Sequence, residues 1–416
     1  MLKKISVSKL RLGMHVHALE GPWIKHPFWR TRFVIHSAAD LQVLRDSDVR
    51  EVVINLALGL DVAGPVGAAA LAEPTPVARV VEPAARPVEA PPVQARRSFN
   101  DELQQAAAIC NKGRAAVVSM FNEARMGRTV DTEGCLPLVE EIANSVARNP
   151  GALVSLARLK TKDDYSFMHS VAVCALMVSL ARQIGMGEEQ CRLAGLAGLV
   201  HDVGKAVMPL EVLNKPGRLT DAEFDVIRSH PERGHRLLLD GQGVTPAMLD
   251  VVLHHHERVD GTGYPHKLQG DAFTQLARMG AICDVYDAIT SNRPYKRGWD
   301  PAESIARMAS WKGHLDPTIF GVFVRSLGIY PTGSLVRLES GRLAVVMEQN
   351  PAALVSPVVK AFFSTRSDMP IPPKVIDLSD PQCIDRIAGR EPGADERFPR
   401  LSELWADPQA IKRTQR

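Results

Sequence analysis

Residues 196–205 read Leu196-Ala-Gly-Leu-Val-His201-Asp202-Val-Gly-Lys205, an apolar run of small residues that ends in an imidazole, a carboxylate and, one turn later, an ammonium. Glu188 to Val200 has helical spacing, so His201 and Asp202 are expected at the end of an apolar helix. The same juxtaposition recurs on either side. His169 lies beside a helical stripe of Phe167, Val171, Cys174, Met177, Val178 and Ala181 within Asp164–Ile184. His230 opens a His-Pro step, His254-His-His-Glu257 closes a segment that starts at Pro246, and Asp284 falls inside Ala281-Ile-Cys-Asp-Val-Tyr286.

Each of these alone is ordinary, since a single histidine on an apolar face is usually a core residue. Together they pose an electrostatic problem: a carboxylate at an apolar helix position is costly to bury unless it is paired or bound to a cation. A dinuclear metal centre solves it, because neutral imidazoles and carboxylates suit first-row divalent ions. One aspartate offers two oxygens and so bridges two ions, while the adjacent imidazole ligates one of them.

Length and composition set the frame. A chain of 416 residues, 45% hydrophobic and 23% charged, reads as an ordinary globular protein of two or three units. The formal net charge of +3 gives no electrostatic case for a nucleic-acid polymer as partner. Cys110, Cys135, Cys174, Cys191, Cys283 and Cys383 are scattered without CxxC spacing, the pattern of free thiols in a reducing compartment. Met1-Leu-Lys-Lys is basic, but no apolar core succeeds it, because Ser8, Lys9 and Arg11 intervene, which argues against a secretory signal. No uncharged apolar run reaches about 18 residues, so membrane insertion is not expected and the location is expected to be cytoplasmic.

The organisation comes from local pattern. Residues 1–60 read as a small α+β domain, with alternation at Met14–Leu19, a β-rich run at Val49–Leu56, a short helix over 38–44 and an aromatic cluster of Trp23, His26, Phe28 and Trp29. Residues 61–97 are rich in Ala and Pro, a composition that rejects helix and central strand and makes a linker. Residues 98–331 read as helices. Within residues 332–380, Ser334–Leu338 and Leu343–Met347 read as a β-hairpin turning at Glu339-Ser-Gly-Arg342, with further strands over 355–363 and 374–378. Residues 381–416 read as a polar tail.

The motifs carry a resemblance. His201-Asp202-Val-Gly-Lys205 resembles the signature of HD-domain phosphohydrolases. His255-His-Glu-Arg-Val-Asp260-Gly-Thr-Gly-Tyr264-Pro265 resembles the HHExxDGxGYP signature of their HD-GYP subfamily. Asp284-Val-Tyr-Asp287-Ala, then Arg293-Pro-Tyr-Lys296, resembles that subfamily's last ligand and ligand-binding tail, and the likeness runs over residues 163–331. Residues 1–60 resemble a small domain of unestablished function that precedes HD-GYP in many bacterial proteins. The fold so implied is mainly α: an all-helical HD-type catalytic domain, a small C-terminal β-hairpin extension and the small α+β N-terminal domain.

What the resemblance implies is specific. One metal would be held by His169, His201, Asp202 and Asp284, and a second by His230, His255 and His256, with Asp202 bridging. Iron or manganese would be the ions. Tyr165 stands where members with a third ion carry a glutamate, and Val259 where an aromatic residue is common. The implied activity is hydrolysis of cyclic di-GMP to linear pGpG, and on to GMP by a second cut, through a metal-bridging hydroxide, with Lys205 stabilising the transition state. Tyr264, Arg293 and Lys296 would contact substrate. The GYP loop reads either as a substrate-side turn or as a docking loop for diguanylate cyclases of the GGDEF type, the latter belonging to a sensor or scaffold with little turnover. A general HD phosphohydrolase acting on another nucleotide is the third reading, and pairing of the helix from Asp101 with a second copy would make a homodimer.

Overall fold

The computed structural model describes residues 2–19, 33–35, 41–42, 45, 50–56, 58–60, 99–159, 165–215, 217–292, 298–391 and 397–414. The aromatic cluster of Trp23, His26, Phe28 and Trp29, most of the helix over 38–44, the linker over 61–97, and Arg293 and Lys296 lie outside the described residues. The chain divides into two units, Met1–Pro92 and Val93–Arg416.

In the first unit, β1 (Leu2–Ser6), β2 (His15–Leu19), β3 (Phe33–Val34) and β4 (Glu51–Asn55) form an antiparallel sheet in the order β1-β4-β2-β3. Val52 and Ile54 alternate inward on β4 and meet Ile5, Leu10, Met14, Val16 and Ile35 in a small core. Strand β1 escapes the sequence pattern because Leu-Lys-Lys-Ile-Ser turns a single large residue, Ile5, inward opposite Val52.

The second unit is helical for most of its length. Its longer helices are α1 (Phe99–Arg125), α2 (Leu136–Arg148), α3 (Pro150–Ala157), α4 (Tyr165–Ile184), α5 (Glu188–Val200), α6 (Asp221–Arg228), α7 (His230–Leu238), α8 (Pro246–His254), α9 (Gln275–Thr290), α10 (Pro301–Ser310) and α11 (Pro317–Leu327). Helix α4 is the centre of the core, buried from Met168 to Ala181. By length and composition Ser166–Ile184 is apolar enough to cross a membrane, and here it is the core helix that carries His169. Against it lies α5, which needs small residues at the crossing. A Cβ on Gly198 would stand 3.0 Å from the Cys174 Cα and 3.0 Å from the Val173 carbonyl oxygen. That close approach sets the rings of His169 and His201 5.1 Å apart. Starts are fixed by side-chain caps: Thr220 accepts from the Glu223 N–H, Thr245 from Met248, Thr274 from Ala277 and Asp300 from Ala302 and Glu303.

The expected hairpin is present as β5 (Leu335–Leu338) and β6 (Arg342–Glu348), and the sheet continues beyond it. Strands β7 (Val358–Ser364), β8 (Met369–Asp377) and β9 (Ile387–Arg390) complete an antiparallel order β8-β7-β6-β5-β9. Period-two alternation sends Leu335, Leu343, Val345 and Phe363 into the helical core and Val336, Ala344 and Val346 into a smaller cluster on the other face. Residues 381–416, read as a polar tail, supply β9 and two short helices, α12 (Ser402–Trp405) and α13 (Pro408–Thr414). Leu401, Trp405, Ala406 and Ala410 anchor them in the helical core. So few apolar residues give no periodicity to read, yet they suffice to dock the segment. The six cysteines form no disulfide, and five of them are buried.

Candidate metal centre

Six elements converge on one buried cluster. Helix α4 presents His169; His201 is the C-cap of α5, and Asp202 leaves the helical conformation at φ −102°, ψ 9°. A short 3-10 turn, Val203–Val207, carries Lys205. His230 starts α7, His255 caps α8 with His256 following, and Asp284 lies on α9. The junction of the 3-10 turn with α7 depends on Gly204. A Cβ there would stand 2.0 Å from the His230 carbonyl oxygen and 2.5 Å from the Gly234 nitrogen, so any side chain forces His230 away from Asp202.

The ligand-type atoms fall into two groups, His169 with His201 and Asp202, and His230 with His255 and His256, each within 4.8 Å of one another. Asp202 joins them. Its Oδ2 lies 3.5 Å from His169 Nε2 and 3.4 Å from His201 Nε2, while its Oδ1 lies 3.2 Å from His230 Nε2 and 3.8 Å from His255 Nε2. Asp284 spans the same gap, with Oδ1 2.9 Å from His169 Nε2 and Oδ2 3.6 Å from His256 Nδ1. All these residues except His256 are buried, and His256 is half-buried.

The donor set fits divalent cations. The Nδ1–H of His201 donates to the Gly198 carbonyl at 2.8 Å, that of His230 to Ile227 at 2.7 Å, and that of His255 to Val252 at 3.0 Å. Each bond fixes the tautomer and turns an Nε2 lone pair inward. The inward nitrogens of His230 and His255 then face each other at 3.2 Å, two lone pairs that repel unless a cation takes both. His201 Nε2 and Asp202 Oδ1 are buried without a hydrogen-bond partner among the described residues, an arrangement that costs free energy unless an ion satisfies it.

The electrostatics agree. Burial pushes the Asp202 carboxyl upward, but Lys205 and the neighbouring imidazoles outweigh it and hold the group well below the usual carboxylate range. Asp284 is likewise held well below the usual carboxylate range: burial opposes it, and the hydrogen bond from His169, with the surrounding imidazoles, prevails. Burial, with the other imidazoles, keeps His255 well below its ordinary value, and burial takes His256 down to about 3. Both are therefore neutral, as metal ligands must be. His169 is the exception: burial lowers it, but Asp284 and Asp287 raise it further.

The structure thus brings together His169, His201, Asp202, His230, His255, His256, Asp284 and Lys205, whose ammonium donates to Asp202 Oδ2 at 2.5 Å. Tyr264 joins them, stacked on His256 with ring centroids 4.7 Å apart. His254 points its Nδ1 at Asp250 Oδ1, 2.6 Å away.

Two supporting residues lie inside the motifs, where the sequence alone assigns them no role. Asp287 Oδ2 lies 2.6 Å from His169 Nδ1 and so orients the imidazole that faces Asp284. Its spacing, one turn after Asp284 on an apolar helix, is the signal that could have found it. Glu257 is 2% exposed, and its carboxylate accepts from the N–H of His266 at 2.6 Å and of Leu268 at 3.1 Å, pinning the loop that carries Tyr264. Asp287→Asn is expected to weaken metal binding roughly 10- to 100-fold by loosening His169. Metal titration of the metal-free protein checks this, and an unchanged affinity would remove Asp287 from the account.

Residues 139–319 match the family described as an HD domain, and residues 2–135 match a domain of unknown function (DUF3391), a stretch that runs on into α1. A cyclic di-GMP phosphodiesterase of Pseudomonas aeruginosa is 53% identical over 406 residues, which span 97% of this chain and 96% of that protein. The cyclic di-GMP phosphodiesterase response regulator RpfG of Xanthomonas campestris is 40% identical over 149 residues, 35% of this chain and 39% of that protein. The 3′3′-cGAMP-specific phosphodiesterase 1 of Vibrio cholerae is 38% identical over 169 residues, 40% of this chain and 38% of that protein. On the strength of that near full-length relative, and of an HD domain over its helical unit, the chain belongs to the HD-GYP cyclic di-GMP phosphodiesterase family, a branch of the metal-binding HD phosphohydrolases.

Proposed function

We propose that this chain hydrolyses cyclic di-GMP to linear pGpG with two divalent ions, iron or manganese, held on either side of Asp202. The observation that carries the reading is the division of the Asp202 carboxylate, one oxygen toward each group of imidazoles. His169, His201, Asp202 and Asp284 would hold one ion; His230, His255 and His256 would hold the other, with Asp202 shared. Bound there, such ions supply Lewis acidity, offsetting the phosphodiester's negative charge and lowering the pKa of water.

The protein's own groups do the rest. Asp287 and the carbonyls of Gly198, Ile227 and Val252 hold the imidazoles in one orientation, so little reorganisation accompanies the reaction. Lys205 keeps a positive charge beside Asp202 for the charge that develops at phosphorus. Tyr264, turned inward onto His256, closes that side of the cluster and supports a substrate-side role for the GYP loop over a docking role. Arg293 and Lys296 would serve the second phosphate or a guanine, Arg through its planar fork.

Lys205→Ala is expected to retain both ions and to lose roughly 10²- to 10³-fold in kcat, read from metal content and turnover of the same preparation. The substrate reading is tested with a panel of cyclic di-GMP, 3′3′-cGAMP and cyclic di-AMP on metal-loaded protein. Preference for cyclic di-GMP supports it. Tight binding of cyclic di-GMP without cleavage, under either iron or manganese, would favour a sensor instead.

A further inference from the structure

Helix α6 has no buried side chain. On it the ring of Phe224 is left 48% exposed, four residues before Arg228 and so on the same face. The Arg228 guanidinium carbon lies over two rings, 5.7 Å from the centre of the Phe224 ring and 4.9 Å from that of Tyr264. Tyr264 is itself stacked on His256, with an angle of 28° between the rings. Contacts therefore link the metal cluster to the exposed Phe224 through His256, Tyr264 and Arg228. Among the described residues the carboxylate near Arg228 is that of Asp225, at 3.6 Å, beyond hydrogen-bond length. Among the described residues no hydrogen bond closes its fork, so its N–H donors remain for a ligand.

Resting on the cyclic di-GMP reading above, we propose that Arg228, braced by Tyr264 and Phe224, is a specificity-determining residue that reads the O6/N7 edge of one substrate guanine. Two arguments select a base edge over a phosphate. First, Arg228 lies over Tyr264, which in turn stacks on His256, so it sits where a base attached through ribose to a phosphate at the imidazoles reaches it. Second, a guanidinium held over rings is braced through its face and presents its edge, where two parallel N–H donors match the paired acceptors of guanine. Adenine offers a donor at position 6 and mismatches the fork. The exposed Phe224 ring adds a face on which the same base stacks.

The test is steady-state kinetics on cyclic di-GMP for the wild type and for Arg228→Ala, Arg228→Met and Arg228→Lys, with metal content measured in each. Methionine keeps a long apolar stem against Tyr264, so it carries the test if the alanine variant folds poorly. The expected result is a rise in KM of about tenfold or more in all three variants, with kcat within about twofold and both ions retained. Lysine is expected not to rescue, because charge without the planar fork does not match the base edge. An unchanged KM, a loss confined to kcat, or full rescue by lysine would overturn the proposal. If the wild type opens cyclic di-GMP and the variants match its KM, this inference fails alone; if the wild type leaves it intact, the functional reading fails and takes the inference with it.

Discussion

Asp202→Ala is expected to abolish occupancy of both ions together and to reduce turnover by at least roughly 10³-fold, since metal-ion stabilisation of charge is worth several kcal/mol. Its two oxygens are the contacts that the two imidazole groups share, so the loss is not confined to one side. A substitution at a residue serving one group behaves differently: His201→Ala or His255→Ala would empty one side first. Asp202→Asn separates charge from shape, because the amide keeps the volume and drops the carboxylate that offsets Lys205 and the imidazoles. Metal content by elemental analysis, alongside product formation, distinguishes these cases. Retention of one full ion in Asp202→Ala would mean that the carboxylate does not bridge.

Gly204→Ala should have an effect of similar size by a different route. The added methyl would sit 2.0 Å from the His230 carbonyl oxygen and 2.5 Å from the Gly234 nitrogen, both of them backbone atoms that no rotamer change moves. The 3-10 turn and α7 must separate, and overpacking of this kind costs about 3 kcal/mol or more. His230 then withdraws from Asp202, so the second imidazole group is the one that loses its ion. Thermal unfolding and metal content report the two consequences separately. Wild-type stability with both ions in place would show that the contact is loose enough to yield.

The sequence disclosed this centre more readily than it disclosed the parts that hold it. His169, His201, Asp202 and Asp284 stood out because polar groups beside or within apolar helical runs break the pattern around them, whereas the full ligand set with His230, His255 and His256 came from the resemblance of the motifs. Helices α4 and α5 were legible for the complementary reason, long apolar stripes bounded by a glycine and a loop. Supporting residues leave no such mark. Asp287 is one more carboxylate on a helix that already carries Asp284, and its bond to His169 comes from an element more than a hundred residues away. Arg228 and Phe224 look like the outer face of an exposed helix, since their relation to Tyr264 exists only after the chain has closed on itself. The C-terminal sheet and helices show the same limit. Leu401, Trp405, Ala406 and Ala410 are buried against the helical core, but four anchors scattered in a polar stretch make no clear period to read.

The central claim is that two cations share one carboxylate, and elemental analysis of anaerobically purified wild-type protein tests it most directly, with cyclic di-GMP turnover recorded on the same sample. The account predicts two iron or manganese ions per chain and conversion of the substrate to linear pGpG. A sample that opens cyclic di-GMP at full rate with a single ion per chain, or with none, would contradict it.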